Sequence, residues 1–545
     1  ILEPYLQDDW RINDKLTLNL GLRLSLFGTY RERYHHAYNW DPAAYDPATA
    51  AVIAESGDFP GSVVSGNIYD GLVQCGVNGV PDGCMKGHLF NPAPRIGFAY
   101  DPTGKGKTAI RGGYGIFFEH TNRNEANTEL LEAQSSPLIQ TVTQYNIAGY
   151  GNVGAGSSGS AVQFPLSFYS IPNKAVWPYI QQWHLDIQQE VLKNTVLTVS
   201  YVGSKGTHLT RQLDLNQIYP VSASQNPFKP GESITPDICS TVQAGDTALT
   251  PSGVAVTGRA LVNLNVACGA DPNQYRPYGG IATITRVEDK ASSIYHALQV
   301  SARRNVGSLQ INLAYTYSHS IDDSSDRYDA GFVNSYDLAA SRASSSFDQR
   351  HMLNIGYVWD MPFFRTPGLR HTLLGGWQLS GITSWQTGTP FSVTYVGTTP
   401  DNAGVGNSVG TGSYADRISD PHANIPSDRI QGFGPLVANP NAYTAPQGLT
   451  FGNSGRNSLR NPSWTNFNMA LFKHFAIKEN TAFEFRVEAF NIFNHTQWAP
   501  IAGDAGSAAS SGFASGTNAY GSSNFLYIGA AHAPRILQLG AKFIF

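Results

Sequence analysis

Leu16-Thr17-Leu18-Asn19-Leu20-Gly21-Leu22-Arg23-Leu24-Ser25-Leu26 carries a leucine at every second position and a polar or small residue between. Side chains on an extended strand alternate between faces, so the six leucines point one way and Thr17, Asn19, Gly21, Arg23 and Ser25 point the other. A helix would scatter those leucines around its circumference. The run lasts about eleven residues, the length that a tilted strand needs to cross a bilayer. The end of the chain, Arg535 to Phe545, reads R-I-L-Q-L-G-A-K-F-I-F and keeps the same rhythm. Leu537, Leu539, Ala541, Phe543 and Phe545 line one side, while Gln538, Gly540 and Lys542 share the other with Ile536 and Ile544.

Composition agrees with this reading. As a soluble protein, 545 residues would imply about three or four domains. Charged residues make up only 14%, aromatics reach 12%, and there are 55 glycines, a mixture that suits many strands, many turns and two aromatic girdles. The mean hydropathy of -0.23 is unremarkable because lumen-facing polar residues alternate with lipid-facing apolar ones. No run of about 18 apolar residues exists, which excludes helical spans only. The net charge of -4 gives no basic footprint, so nucleic acid is not an expected partner.

Read in order, the chain predicts strands at 5–11, 16–26, 95–100, 108–119, 179–191, 195–203, 294–304, 309–318, 347–359, 371–395, 463–474, 481–491 and 535–545. Short turns alternate with long loops at 31–93, 121–174, 204–293, 320–346, 397–461 and 492–534. In an outer-membrane barrel the turns are periplasmic and the loops extracellular. Gly388 to Pro390 is therefore read as a kink within one strand, since a hairpin there would put the next long loop on the wrong side. The expected fold is all-β, an antiparallel transmembrane β-barrel in the bacterial outer membrane with long extracellular loops. About 13 strands are expected of the about 22 found in plugged transporters. An odd count leaves two sheet edges exposed to hydrocarbon, so strands and a plug are expected upstream of Ile1, whose position in front of a strand reads as a cut.

Several residues are candidates for specific roles. Cys75, Cys84, Cys239 and Cys268 lie in Gly/Pro/Asn-rich loops, and short-range disulfides, Cys75 with Cys84 and Cys239 with Cys268, fit an oxidising compartment. Spacing alone does not choose among three connectivities, and metal binding is the rival. Arg23, Glu484, Arg486 and Glu488 alternate with apolar residues and are expected to face the lumen, pairing with each other, with a plug or with a solute. Trp10, Trp183, Trp359, Trp377, Trp464, Tyr179, Tyr357 and Tyr395 are expected in interfacial girdles. Asp322, Asp323, Asp326 and Asp329 crowd one loop, where a solvated cluster competes with a Ca2+ site. His35 and His36, beside Tyr34 and Tyr38, raise a metal or metal-chelate site, against which two adjacent histidines on an extended loop are expected to point apart. Gly104-Lys105-Gly106-Lys107-Thr108 mimics a phosphate-binding loop but precedes a strand, so it reads as a basic turn. No catalytic constellation, cofactor motif or metal triad stands out, and an enzyme is not expected.

The residues themselves carry a resemblance. Gly203-Ser204-Lys205-Gly206-Thr207-His208-Leu209, Phe347-Asp348-Gln349-Arg350-His351, Gly375-Gly376-Trp377-Gln378-Leu379-Ser380-Gly381 with Thr387-Gly388-Thr389-Pro390-Phe391, and Phe485 to His495 (F-R-V-E-A-F-N-I-F-N-H) resemble the barrel half of TonB-dependent receptors. Within that family the Oar-like group, with a carboxypeptidase-regulatory-like domain ahead of the plug, is the most similar. Residues 1–545 then read as the C-terminal part of the barrel, with the plug and the regulatory-like domain upstream. Gln538, Gly540, Phe543 and Phe545 resemble the C-terminal signal that outer-membrane proteins present to the barrel-assembly machinery. The resemblance implies import of a scarce solute, such as a siderophore, cobalamin, carbohydrate or peptide, driven by the TonB complex through the N-terminal part. It also implies outer-membrane lipid, the assembly machinery and an unknown small-molecule or peptide ligand as partners. A passive porin-like or adhesion barrel is the alternative, and a soluble propeller is disfavoured by loops of about three to about ninety residues.

Overall fold

The computed structural model describes all residues except 1, 55–62, 120–163, 327–333, 365, 367, 397–400, 407–411, 429, 479–480 and 502–517. Thirteen strands form one continuous antiparallel wall: β1 (Tyr5–Asn13), β2 (Leu16–Leu26), β3 (Phe90–Tyr100), β4 (Thr108–Phe118), β5 (Tyr179–Leu192), β6 (Thr195–Asp214), β7 (Ile281–Val306), β8 (Leu309–Asp322), β9 (His351–Asp360), β10 (Trp377–Gln386), β11 (Trp464–Lys478), β12 (Thr481–Phe490) and β13 (Ile536–Ile544). Their spatial order is their chain order, and two short strands add to the same sheet, Leu166–Ser170 beside β7 and Ala343–Ser344 on β8. Among the described residues β1 pairs only with β2 and β13 only with β12, which leaves two free edges.

The turns at one end are tight because their residues satisfy the turn backbone. The Asn13 carboxamide oxygen accepts the Lys15 and Leu16 N–H groups at 2.9 and 3.0 Å. Asp101 accepts N–H groups from Thr103, Gly104 and Gly106, and the Gly106 bond leads in holding its carboxyl below the usual range. Asn194 (φ 58°) and Gly307 (φ 60°) take the left-handed conformation that two-residue hairpins demand. These bonds make Gly104 to Lys107 part of a turn, with β4 beginning at Thr108, as the sequence predicts.

At the other end the long connections pack into a cap. One apolar cluster joins Phe391, Val393, Leu436, Tyr443, Leu459 and Phe525 to Ile528. A second is built on α1 (Pro236–Gln243) and α2 (Gly258–Ala267), with Leu264 and Leu449 at its centre. A third gathers Phe27, Met85, Ile171 and Trp177 around Cys75 and Cys84. The protein's buried apolar core therefore lies mainly in the cap.

Several boundaries differ from expectation. β6 and β7 run for 20 and 26 residues, far beyond 203 and before 294. Their outer halves abandon the lipid rhythm and are held by polar pairs: Arg211 donates to Glu288 at 2.9 Å and Thr210 to Asp289 at 2.9 Å. The expected strand 371–395 is three pieces: a helical turn, α3 (Leu369–Leu374), then β10, then cap strands Pro390–Phe391 and Thr394–Tyr395, which pair with Leu459–Arg460 and Ala519–Tyr520. The chain leaves the wall at Gly388, whose missing side chain would stand 1.9 Å from the Asn461 carbonyl oxygen. β9 begins at His351 instead of 347, because Asp348 is committed to the cap.

Candidate functional site: the polar face of the wall and the cap above it

Register assigns each wall residue to a face. One row on the first face runs Leu18, Phe98, Gly112, Leu185, Tyr201, Leu298, Tyr317 and His351 across β2 to β9. The next rows on the opposite face run Gln7, Gly21, Arg95, Gly115, Gln182 and Ser204, then Asp9, Asn19, Gly97, Gly113, His184 and Val202. Polar side chains on this second face bond to one another: Asn19 to Asp9 at 2.6 Å, Ser384 to Asn354 at 2.7 Å and Gln378 to Asp360 at 2.7 Å.

The apolar face ends in aromatic bands. Near the cap, Trp183 and Tyr201 each lie 6.0 Å from His296, and His351 lies 4.9 Å from Tyr317 and 5.7 Å from Trp385. At the turn end, Trp359 meets Phe363 edge-on at 5.8 Å. Trp10 and Tyr179 also fall on this face by register, opposite Leu18 and Phe118. Two expected girdle residues do not belong there. Trp464 pairs with Gln386 on the polar face, and Tyr395 is 8% exposed inside the cap. Period-two counting sees neither case, because the polar face tolerates a Trp at its rim and the chain has left the wall before Tyr395.

The family comparison comes to bear on this two-faced wall. The outer membrane beta barrel domain family matches residues 1–538. The chain belongs to that family. This outer-membrane barrel thus turns its leucine-rich face to lipid and its polar face to the lumen, and it resides in the bacterial outer membrane. No curated protein matches the chain. Among solved structures it is similar to the outer membrane transporter YddB from Escherichia coli, at 9% identity and TM-score 0.41, covering 100% of this chain and 45% of that one. It is also similar to the ferripyoverdine receptor of the outer membrane of Pseudomonas aeruginosa, at 10% identity and TM-score 0.40, covering 100% and 38%. The ferric citrate transporter FecA gives 9% identity and TM-score 0.37, covering 99% and 44%. The barrel chain thus spans less than half the length of these three.

The sequence candidates fall into separate places. Arg23 lies on the polar face 3.4 Å from Glu3, which also accepts from Ser25 at 2.7 Å. Glu484, Arg486 and Glu488 share that face some distance around the wall, opposite Lys542, Gly540 and Gln538 of β13. The Arg486 side chain lies over Gly540, where an added Cβ would sit 2.6 Å from its Nε. Phe543 and Phe545 stack at 6.2 Å, with Phe545 94% exposed. Cys75–Cys84 and Cys239–Cys268 are disulfide-bonded, with Cα separations of 4.8 and 5.1 Å; the second ties α1 to α2.

Two of the four loop aspartates are held in ion pairs. Asp322, on the last residue of β8, accepts from Arg456 at 2.8 Å with both side chains at most 3% exposed, and Asp323 faces Arg211 at 3.6 Å. The Asp326 backbone carbonyl accepts from the Ser324 hydroxyl at 2.6 Å, and Asp329 lies outside the described residues. His35 contacts the Cys75 carbonyl, and the Tyr34 and His36 N–H groups donate to Glu32. No group of three or more metal-ligating side chains occurs among the described residues.

Sequence reading missed the pairs that join cap to wall. Arg276 meets Asp214 at 3.1 Å, Arg456 meets Asp322, and Asp348 takes Arg350 at 3.1 Å together with Arg460 and the Ser320 N–H. Burial pushes the Asp348 carboxyl up, but the Arg460 bond, the Ser320 N–H and neighbouring charges outweigh it and hold the group below its usual range. Partners 62, 134 and 112 residues apart leave no local signal.

Proposed function

We propose that this chain forms the C-terminal part of the barrel wall of a TonB-dependent outer-membrane receptor that imports a scarce solute. Siderophore, cobalamin, carbohydrate and peptide are the candidate cargoes. The observation that carries this reading is a thirteen-stranded wall with a polar inner face, a packed cap over one end and, among the described residues, one partner each for β1 and β13. A free sheet edge in hydrocarbon costs several kcal/mol for each unpaired group, so the edges need further strands. In this reading those strands, the plug and an Oar-like regulatory domain belong to a longer polypeptide, and that part engages the TonB complex. Arg23, Glu484, Arg486 and Glu488 would then line the solute path or hold the plug. Gln538, Gly540, Phe543 and Phe545 would dock β13 on the barrel-assembly machinery.

Growth under limitation for each cargo class tests the reading. A strain lacking the gene should lose uptake of one solute, and removing TonB from the parent should cause the same loss. If uptake through the protein persists without TonB and with the proton gradient collapsed, the passive porin-like barrel replaces the importer.

A further inference from the structure

We propose that a glycine-floored hollow in the lumenal wall is a binding subsite for a small oxyanion-bearing solute, a carboxylate or a phosphate; this deepens the import reading and rests on it. The hollow is an open depression of about 570 Å³ between β1 and β5. Its floor is Gly21, Gly97, Gly113 and Gly115, adjacent on the polar face of three neighbouring strands. Arg95, Arg111 and His184 line it, and no carboxylate does.

Glycine inside a strand weakens it and marks a place where something approaches closely. On the lipid face that something is visible. Phe98 covers Gly112, Trp183 covers Gly203 and Tyr357 covers Gly381, each so closely that a Cβ would stand within 2.5 Å of the ring or its hydroxyl. On the lumenal face His184 and Phe117 partly cover Gly113 and Gly115, at 2.8 and 3.0 Å. Gly21 and Gly97 are different. A Cβ there would meet nothing nearer than 3.7 and 3.5 Å, and their backbone is ordinary strand. Neither conformation nor packing within the wall requires these two glycines, so what they supply is the space above them.

Among the described residues the two arginines beside that space form no ion pair. The Arg95 guanidinium lies on the Phe117 ring at 4.6 Å, and its Nε is buried with no acceptor. Arg111 donates to the neutral Gln188 carbonyl oxygen at 2.9 Å. Among the described residues no carboxylate comes within 4.0 Å of either arginine. Two carboxylates flank the hollow and are held by its lining, Asp9 by Asn19 at 2.6 Å and Asp186, the cross-strand neighbour of Arg111, by His184 at 3.5 Å. A planar guanidinium fork matches a carboxylate or phosphate edge, and the amides of Gln7 and Gln182 offer neutral donors beside it.

Titration calorimetry on the full-length protein in detergent, at low ionic strength, tests the subsite with citrate in one arm and inorganic phosphate in the other. The protein should bind one of them, and that arm identifies the anion. Arg95→Gln should weaken binding about tenfold, the loss of one charge-assisted contact. Gly97→Leu should abolish binding by filling the hollow, while Asn354→Gln, lumenal but remote, should leave it unchanged. Binding of neither anion overturns the proposal, and so does an Arg95→Gln variant that binds as tightly as the parent. A segment of the same polypeptide found filling the hollow in the full-length protein also overturns it. Equilibrium binding needs no energy source, so failure here is separable from failure of the uptake test.

Discussion

The wall and the cap solve opposite solvent problems with the same chain. In the wall the large apolar side chains look outward, and Leu20, Leu22, Leu185, Ile187 and Leu298 are all more than a third exposed to what is lipid in the membrane. In the cap the apolar side chains turn inward, Leu264, Val393 and Leu526 being fully buried, and buried ion pairs such as Arg276 with Asp214 and Arg456 with Asp322 fasten it. Stability in the wall comes from ladder hydrogen bonds and from matching lipid on one side. Stability in the cap comes from ordinary core packing and from ion pairs that tolerate no missing partner.

The largest expected effect lies in the cap. Arg456→Ala leaves the Asp322 carboxylate buried and unpaired, which costs about 3–5 kcal/mol. Limited proteolysis should cut the loops of 387–463 and 323–350 in this variant while the wall strands stay protected; loops as resistant as in the parent would mean the pair does not hold the cap down.

A wall substitution distinguishes its two faces. Ile355 looks to lipid and its neighbour Asn354 to the lumen, as their partners Thr383 with Leu313 and Ser384 with Ala314 show. Ile355→Lys should cost about 2–4 kcal/mol, for a cation near mid-bilayer. Asn354→Lys should cost about 0.5 kcal/mol or less. Urea unfolding from lipid vesicles measures both, and equal costs would erase the assigned difference between the faces.

The smallest effect is the acid response of the cap. Asp348 has a folded pKa below its unfolded one. Its contribution is fully present above the unfolded value of about 4 and fades as pH falls towards the folded one. Cap protection from protease should stay level from pH 7 to pH 5 and drop only below about pH 4. Asp348→Asn should remove that acid-dependent step, and a step surviving in the variant would assign it to another group.

Much of the wall was legible in the residues. The strands near 16–26, 309–318, 481–491 and 535–545 follow from alternation alone, since burial on one side writes a period of two into the chain. The turn at 101–107 was readable from Asp and Gly. Trp464 was misassigned because a single residue at a strand end carries no period. The course of 387–395 was unreadable for a different reason: Gly388 meets Asn461 through the cap, and such a contact has no expression in neighbouring residues.

The amino-acid order by itself determined an antiparallel wall with one face for lipid and one for water, because alternation is a local property of extended backbone. Only the tertiary structure decided that the long loops build a common core, that the loop aspartates answer to distant arginines, and that four glycines from neighbouring strands open one hollow. Those are meetings between residues far apart in the chain, and nothing in the local spacing of side chains encodes which distant partner each will find.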